Sequence, residues 1–261
     1  MLARLVADHD PDRLACATDE DWRPAWRVDL VPEYKAQRVA PPPPQAAADA
    51  EVSRQSPLCF GLLSACGVAV AGLPGYEAED VIGTLAERAR GPVAIVSGDR
   101  DLFQLVRDPD VFVLYPVKGV SQLARVDEAE VTRRFGIPGR AYADYAVLRG
   151  DPSDGLPGVK GIGEKTASSL LSSYGSLDAI IGAARSEPGS GALSRVAGQL
   201  DYVERARQVV AIPRDLPLPE IDIARPRSDP PPEVLDAADD FGLRPAVSRL
   251  GAALAGRGTV R

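Results

Sequence analysis

The stretch that decides the fold reads Gly150-Asp-Pro-Ser-Asp-Gly-Leu-Pro-Gly-Val-Lys-Gly-Ile-Gly-Glu-Lys-Thr-Ala167. Two carboxylates, Asp151 and Asp154, lie on its turn-forming first half, and a glycine hairpin at 158–163 opens directly into a helix. Glycines let backbone N–H groups approach a ligand closely, and a helix N-terminus favours an anionic phosphate. Lys160 and Lys165 add positive charge. The stretch therefore combines acids suited to a metal ion with a segment suited to a phosphate backbone.

Taken separately, these pieces have plain structural explanations. Asp-Pro-Ser-Asp-Gly is good turn chemistry, and short glycine motifs often match by chance. Together they closely resemble the helix–three-turn–helix segment GDxSDNxPGVxGIGxKTA of the bacterial 5′-3′ exonuclease and flap endonuclease family, which includes the N-terminal nuclease domain of DNA polymerase I. The chain departs from that pattern at Gly155, where the family usually has Asn. The resemblance implies metal binding by the two aspartates and duplex DNA binding by a set of hairpin residues: Gly158, Lys160, Gly161, Gly163, Lys165 and Thr166.

Further acids stand where predicted strands end. Asp19 follows the short apolar strand 14–18, and Asp99 and Asp101 follow the continuous apolar strand 92–97. Ligands of α/β sheets bind beyond the carboxyl ends of the strands. Asp19 is also one of three consecutive acids, so a simple turn remains its alternative. The family has a metal-site Asp at the first position and Asp-x-Asp-Leu-x-Gln-Leu at the second, so the resemblance implies metal ligands at both.

A third set of acids begins a predicted helix, in Tyr76-Glu77-Ala78-Glu79-Asp80. Acids in a first helical turn are favoured by the helix dipole, so their presence alone indicates no site. The family has Gly-Tyr-Glu-Ala-Asp-Asp here, with its acids facing the metals. This chain has Glu79 in place of the first Asp, which keeps the carboxylate and lengthens the side chain by one methylene.

The segment before this helix carries basic residues. Tyr34-Lys-Ala-Gln-Arg38 resembles the family's Tyr-Lys-Ala-x-Arg, which implies that Lys35 and Arg38 are catalytic basic residues that contact the 5′ end of the substrate. Upstream, tryptophans alternate with arginines over 22–27, a pattern suited to single-stranded nucleic acid or to a helix whose tryptophans pack onto the core. We favour packing. Four prolines at 41–44 predict an extended, exposed and mobile segment over 40–54, within an arch spanning about 22–56.

Composition limits the possible partners. A net charge of −7 argues against a purely electrostatic DNA binder, although bound cations would offset clustered carboxylates. Only four lysines occur, and three lie in the two segments assigned to nucleic acid. Cysteines 16, 59 and 66 are interpreted as small core residues, because residues 59 and 66 on one helix stand about 10 Å apart, too far for a disulfide. His9, the single histidine, receives no catalytic role.

No uninterrupted apolar run has membrane length, and the N-terminus is acidic by residue 8, unlike a signal peptide. We therefore expect a cytoplasmic, monomeric protein. The predicted fold is α/β, with a mostly parallel sheet flanked by helices (PIN-like) over 1–125. An all-helical helix–three-turn–helix DNA-binding region follows over 126–261, with its helix–hairpin segment at 150–175.

The resemblance implies a Mg²⁺-dependent 5′-3′ deoxyribonuclease that acts on DNA with a free 5′ end, flap or nick. Two Mg²⁺ ions are expected, with Mn²⁺ as a substitute, because hard oxygen ligands suit these cations. The expected ligands are all carboxylates: Asp19, Glu77, Glu79, Asp80, Asp99, Asp101, Asp151 and Asp154.

The family also begins with a strand ending in Asp-Gly, which supplies another ligand and has no counterpart in this sequence. We expect either a start upstream of Met1 or a truncated form, and a missing central strand would expose its neighbours. Two alternatives therefore stay open. One is a catalytically impaired DNA-junction-binding protein, and the other is an RNA-cleaving enzyme with a similar acid-lined sheet.

Overall fold

A computed structural model describes residues 1–119, 121–187 and 189–256. The strands are short and precede most of the helices: β1 (Ala15–Ala17), β2 (Ala69–Ala71), β3 (Val93–Val96), β4 (Val111–Pro116) and β5 (Leu123–Val126). The helices are α1 (Leu2–His9), α2 (Ala25–Leu30), α3 (Pro43–Ala65), α4 (Ala78–Arg88), α5 (Glu128–Phe135), α6 (Tyr142–Arg149), α7 (Glu164–Tyr174), α8 (Leu177–Ser186), α9 (Ala192–Ala197), α10 (Leu200–Val210), α11 (Pro232–Asp239) and α12 (Arg244–Leu254). Three 3₁₀ turns lie at Ala36–Arg38, Asp101–Leu105 and Gly139–Ala141.

The chain divides into two compact units. The first unit comprises Met1–Thr18, Pro41–Leu73 and the chain from Leu218 onward, and the second comprises Asp19–Ala40 and Pro74–Pro217. This division differs from the predicted boundary after residue 125. Within the second unit one hydrophobic core runs from Val31 to Ile212, so residues on both sides of that boundary pack together.

In the first unit, β1 and β2 pair in parallel, with Ala15 opposite Ala69 and Ala17 opposite Ala71. A small core lies beside them, in which α1 packs on α12. The last helical stretch of this unit is interrupted, because Gly242, with a φ of +68°, separates α11 from α12. The two short helices pack against each other across this break.

The long helix α3 corrects the expectation of an extended segment. Its first turn contains Pro43 and Pro44, which helices tolerate there because the first N–H groups have no intrahelical partner. An alanine-rich run over 46–50 continues the helix, which extends to Ala65 with Pro57 in its interior. The expected exposure is confirmed, since no residue of α3 is buried. Cys59 is exposed on it, contrary to our interpretation as a core residue, whereas Cys66 is buried and all three cysteines are free.

In the second unit, β3 and β4 are parallel and β5 joins β4 antiparallel, giving the order β3-β4-β5. The two parallel pairs confirm the predicted mostly parallel sheet pattern, although the strands form two sheets. Strand β3 lies at an edge, and Val96 on it is 38% exposed. The helices α5 to α10 follow the sheet, as predicted for the helical region, but α9 was not anticipated.

Aromatic packing explains why the second unit has one core. Phe103, in the turn after β3, stacks edge-on against Tyr142 of α6, with 5.4 Å between ring centroids. Phe135 of α5 contacts the same Tyr142 ring at 5.1 Å. Such pairs add about 0.5–1.5 kcal/mol each beyond the area that they bury. Along the described part of the chain, no helix combines the length and apolar character needed to cross a membrane.

Candidate metal centre and nucleic-acid interface

Five of the eight predicted acids meet in the second unit, and we call them the acid cluster: Glu79, Asp99, Asp101, Asp151 and Asp154. Asp99 and Asp101 follow β3, the aspartates 151 and 154 lie on the turn between α6 and α7, and Glu79 lies in the first turn of α4. These carboxylates act on one another electrostatically, which places them close together. The structure thus brings together acids from three distant parts of the sequence.

Burial and the repulsion of neighbouring carboxylates raise the pKa values of three members of this cluster, Glu79, Asp101 and Asp154. Burial raises the pKa of Glu79 to about 8, and the carboxylates of Glu77 and Asp99 add to the effect while Lys35 opposes it. Burial likewise raises the pKa of Asp101 well above its usual value, with Asp99 the largest charged contributor. The cluster is therefore short of positive charge.

Local hydrogen bonds fix the turns that carry these acids. The Asp101 N–H donates to Oδ1 of Asp99 at 2.8 Å, and the Ser153 N–H donates to Oδ1 of Asp151 at 2.8 Å. Arg38 donates through Nη2 to Oδ1 of Asp154 at 2.9 Å. Each of these carboxylates keeps oxygen atoms that the bonds named here do not use.

Glu77 and Asp80 lie elsewhere, in a buried network with Arg27. The Arg27 guanidinium donates to both Asp80 oxygens, at 2.8 and 2.6 Å, and to Oε2 of Glu77 at 2.5 Å. Its Nε donates to the carbonyl of Val209 at 3.0 Å, and the Tyr34 hydroxyl donates to Glu77 at 2.6 Å. Glu77 and Asp80 also form the capping box of α4. These two predicted ligands are therefore already paired with a cation.

Lys35 completes this arginine network, which comprises Arg27, Tyr34, Lys35, Glu77 and Asp80. Its ammonium group bonds to Glu77 and lies 3.8 Å from Oε1 of Glu79, and the residue is only 4% exposed. The lysine that we expected to contact phosphate thus points toward carboxylates. Its position links the arginine network to the acid cluster, because Glu79 belongs to the latter.

Asp19 also lies near Glu79, where a backbone hydrogen bond holds its side chain. Its Oδ1 accepts a hydrogen bond of 2.8 Å from the N–H of Ala78, the residue before Glu79. The exposed Asp19 side chain therefore lies at the start of α4.

The two tryptophans of the segment 22–27 differ in their burial. Trp26 packs as expected, with Nε1 donating to the Gly75 carbonyl at 3.2 Å. Trp22 is 44% exposed, contrary to our expectation.

The chemistry of the acid cluster fits a hard divalent cation. Its donors are all carboxylate oxygens, the type that Mg²⁺ and Mn²⁺ prefer, and a bound cation would relieve the repulsion that raises the pKa values of Asp101 and Glu79. Among residues 1–119, 121–187 and 189–256, however, no three His, Cys, Asp or Glu side chains stand in an arrangement that would hold a metal ion. The carboxylates would have to rotate toward one another to share one.

The hairpin, residues 158–163, presents its tip to solvent. Lys160, Gly161 and Gly163 are exposed, as is Lys165 in the first turn of α7, whereas Gly158 is buried. Gly163 caps α7 without a side-chain hydrogen bond, so the helix start is open to a ligand. Thr166, the last predicted DNA contact, is partly buried in this turn.

Three side chains that sequence reasoning missed support the hairpin from α9 and α10. The Gly158 N–H donates to the Tyr202 hydroxyl at 2.8 Å, and the Lys160 N–H donates to Oε1 of Gln199 at 3.0 Å. Arg195 donates through Nη1 to the Gly161 carbonyl at 2.8 Å. No motif marks these residues, because their role depends on a short helix and on contacts more than 30 residues apart.

The departure from the family pattern at Gly155 has a steric explanation. Gly155 has a φ of +72°, and a Cβ there would lie 2.2 Å from the carbonyl oxygen of Glu33. We expect Gly155→Asn to cost about 1–3 kcal/mol of stability, because asparagine accepts the positive φ but overpacks the contact. Chemical denaturation measures the loss.

A matched control is Gly75→Asn, since Gly75 has a φ of +81° with open space around its Cβ position. That variant should retain the stability of the parent protein more closely. Equal losses at both positions would show that backbone conformation, and not contact with Glu33, sets the cost.

Comparison with known proteins gives a consistent result for most of the chain. Residues 1–136 match the family model for "5'-3' exonuclease, N-terminal resolvase-like domain", and residues 137–231 match "5'-3' exonuclease, C-terminal SAM fold". The chain is 49% identical over 259 residues to a 5'-3' exonuclease of Streptomyces coelicolor (strain ATCC BAA-471 / A3(2) / M145), covering 95% of this chain and 85% of that protein. A 5'-3' exonuclease of Mycobacterium tuberculosis (strain ATCC 25618 / H37Rv) is 42% identical over 274 residues, with 97% and 85% covered.

Among solved structures, the D15 protein of bacteriophage T5, co-crystallized with metal ions, has a TM-score of 0.68 at 16% identity, covering 96% of this chain and 87% of that one. The same protein, described as a flap endonuclease, has also been solved with DNA and metal ions; that structure has a TM-score of 0.61, also at 16% identity, with 93% and 82% covered. These likenesses concern the fold. The comparisons lend no support to the alternative of a catalytically impaired junction-binding protein.

Proposed function

Because the chain belongs to the 5′-3′ exonuclease family, we propose that it hydrolyses DNA phosphodiesters at 5′ ends and 5′ flaps in a Mg²⁺-dependent reaction. The observation that carries this proposal is the gathering of Glu79, Asp99, Asp101, Asp151 and Asp154 in one unit, which also contains the exposed hairpin. The T5 protein of similar fold has been solved with DNA and metal ions, which supports both partners.

We propose the acid cluster as the main cation site, with Asp19 close by at the start of α4. Two divalent ions, Mg²⁺ or Mn²⁺, would supply an activated water and stabilise the leaving oxygen of an in-line displacement. Glu77 and Asp80 remain candidate ligands, acting directly or through water, but direct ligation would require them to leave Arg27 and Lys35.

The chain's own residues would bind and orient the substrate. The hairpin residues Gly158, Lys160, Gly161, Gly163, Lys165 and Thr166 are proposed to bind duplex phosphates without reading sequence. Arg38, half-exposed and bonded to Asp154, is proposed to bind the scissile region of the 5′ end. Lys35 could bind the 5′ end of the substrate only after leaving Glu77. We therefore propose that substrate phosphates compete with Glu77 for Lys35, and that cations compete with Lys35 for Glu77.

A direct test incubates the protein with a labelled 5′-flap DNA in Mg²⁺, in Mn²⁺ and in EDTA. We expect 5′ products with either metal ion and none in EDTA. Binding without cleavage would favour the junction-binding alternative. An RNA strand of the same sequence provides the comparison for the RNA-cleaving alternative, and faster cleavage of RNA would contradict a DNA nuclease. That the protein is monomeric and cytoplasmic stays a prediction. Gel filtration would test its oligomeric state, and cell fractionation its location.

The raised pKa values predict an unusual pH dependence of stability in EDTA. The pKa of Glu79 rises from 4.5 in the unfolded chain to about 8 in the folded one, so between these values the folded protein holds a proton that the unfolded chain releases. Stability should therefore fall as pH rises from about 5 to about 8. Asp101 and Asp154, whose pKa values are also raised, contribute in the same direction.

Thermal unfolding at a series of pH values measures this effect. Mg²⁺ should stabilise the protein more at pH 8 than at pH 6, because the cation replaces the protons. The variant Glu79→Gln should flatten the profile in EDTA. Stability that rises between pH 6 and 8 in EDTA would contradict the interpretation of the acid cluster as short of positive charge.

A further inference from the structure

Arg195 lies against the tip of the hairpin. Its Nη1 donates to the carbonyl of Gly161 at 2.8 Å, and Gly161 itself is exposed with a φ of +85°. A Cβ at Gly161 would lie 3.1 Å from Cδ of Arg195, so the arginine stem packs directly on the glycine. The guanidinium group is therefore held beside the backbone that is proposed to face duplex phosphates.

The charge of Arg195 is not neutralised by a carboxylate in the described part of the chain. Two other arginines of this helical region, in contrast, are paired with carboxylates: Arg149 with Glu164 at 3.3 Å and Arg207 with Asp178 at 2.7 Å. Arg195 is exposed, and the hydrogen bond to Gly161 uses only one of the five donors that a guanidinium carries. It keeps donors and a full positive charge for an external anion.

We propose that Arg195 is a phosphate-binding residue of the duplex-binding surface, acting together with Lys160 on the hairpin and Lys165 in the first turn of α7. This inference rests on the proposed function and adds to it a residue outside the hairpin motif. An exposed, positioned guanidinium suits phosphate oxygens, which accept two parallel N–H bonds from it. Gln199 and Tyr202 are positioning residues, because they hold the hairpin amides at 160 and 158.

The matched control lies on the next helix. Arg205 is also exposed, bonds a backbone carbonyl, that of Asp201, at 3.1 Å, and has no carboxylate partner among the described residues, but it does not contact the hairpin. Arg205→Gln therefore removes the same charge from the same unit. Arg195→Gln and Arg195→Lys complete the set, and thermal unfolding checks that all three variants are folded.

Binding of a labelled duplex with a 5′ flap is measured by fluorescence anisotropy over a series of KCl concentrations. Ca²⁺ replaces Mg²⁺, and a gel confirms that the DNA stays intact. Arg195→Gln should weaken binding by about fivefold and lower the slope of log K against log salt by about 1, since each phosphate contact contributes about 0.9. Arg195→Lys should keep the slope, and Arg205→Gln should match the parent protein.

The possible results distinguish failure of the proposed role of Arg195 from failure of the proposed function of the protein. Binding that is unchanged in Arg195→Gln, or weakened with no change of slope, would overturn this inference, because the residue would then only brace Gly161. Equal changes of slope in the Arg195→Gln and Arg205→Gln variants would also overturn it, since they would reflect overall charge. A parent protein that binds no duplex would instead overturn the proposed function itself, and the role of Arg195 with it.

Discussion

Cleavage of a 5′-flap DNA is expected to fall by about a thousandfold or more in the double variant Asp99→Asn with Asp101→Asn. Loss of two carboxylates from the acid cluster would remove two of the proposed cation ligands, and about 4 kcal/mol of transition-state stabilisation corresponds to a thousandfold loss in rate. Asp101 interacts electrostatically with the four other members of the cluster. The rate of product formation in Mg²⁺ measures the effect.

Binding of the same DNA should survive the double substitution. The hairpin carries its own lysines, Lys160 and Lys165, and removal of two negative charges lowers the repulsion of phosphates. Folding should survive as well, because asparagine at 99 still offers an oxygen to the N–H of Asp101. Neutral side chains also relieve the burial cost that raises the pKa of Asp101.

The control for this prediction is Asp110→Asn with Asp201→Asn. Both residues are exposed in the second unit and lie outside the acid cluster, so the change in net charge is the same. Cleavage by the control should stay within about twofold of the parent protein, as is usual for surface substitutions. Undiminished cleavage by the Asp99 and Asp101 variant in Mg²⁺ would contradict the proposed metal centre.

Four members of the acid cluster could be predicted from the sequence, because they follow a strand or lie on a turn that resembles a motif of the family. Asp99 follows β3 directly, and carboxyl ends of neighbouring strands meet at one edge of a sheet. Asp151 and Asp154 could be predicted because a turn motif of fixed length holds them before α7. In both cases local sequence determines the position, so a short pattern carries enough information.

The roles of Glu77 and Asp80 could not be predicted in the same way. Glu77, Glu79 and Asp80 share one helical turn, but residues on a helix are about 100° apart and face different surroundings. Their partner Arg27 lies 50 and 53 residues away from Glu77 and Asp80. Only the tertiary structure decides that Glu79 meets the acid cluster while its two neighbours meet a guanidinium group.

The extended conformation predicted for 40–54 was wrong for a different reason. Consecutive prolines exclude the interior of a helix but not its first turn, and the sequence alone did not show where that turn lies. Helix α9 escaped notice because six residues are too few for a clear apolar period. The contacts that Arg195, on this helix, and Gln199, shortly after it, make with the hairpin were therefore not predicted either.

Arg27→Met is expected to destabilise the protein by about 3–5 kcal/mol, the usual cost of removing one partner from a buried ion pair. Arg27 is 2% exposed, and both Glu77 and Asp80 are fully buried. Asp80 would lose two hydrogen bonds, and the carbonyl of Val209 would lose the Nε donor. Urea denaturation of parent and variant in the same buffer measures the difference.

The exposed pair of Arg133 and Glu130 provides the control, because Arg133→Met removes an arginine that is 69% exposed. Exposed ion pairs are worth about 0–1 kcal/mol, so this variant should remain close to the parent protein. Arg27→Lys should be intermediate, since an ammonium group cannot bond both oxygens of Asp80 as the planar guanidinium does. A loss below about 1 kcal/mol in Arg27→Met would contradict the importance of the network.

A combined variant separates unpaired charge from lost packing. Arg27→Met with Glu77→Gln and Asp80→Asn leaves no charged carboxylate in the arginine network, so it should regain part of the stability that Arg27→Met alone loses. Cleavage by the combined variant, however, should be lower than that of the parent protein, because Lys35 would lose its bond to a charged Glu77 and the start of α4 carries Glu79. Stability that returns while activity does not would show that the carboxylates of Glu77 and Asp80 serve cleavage, as positioning groups or as ligands, as well as the fold.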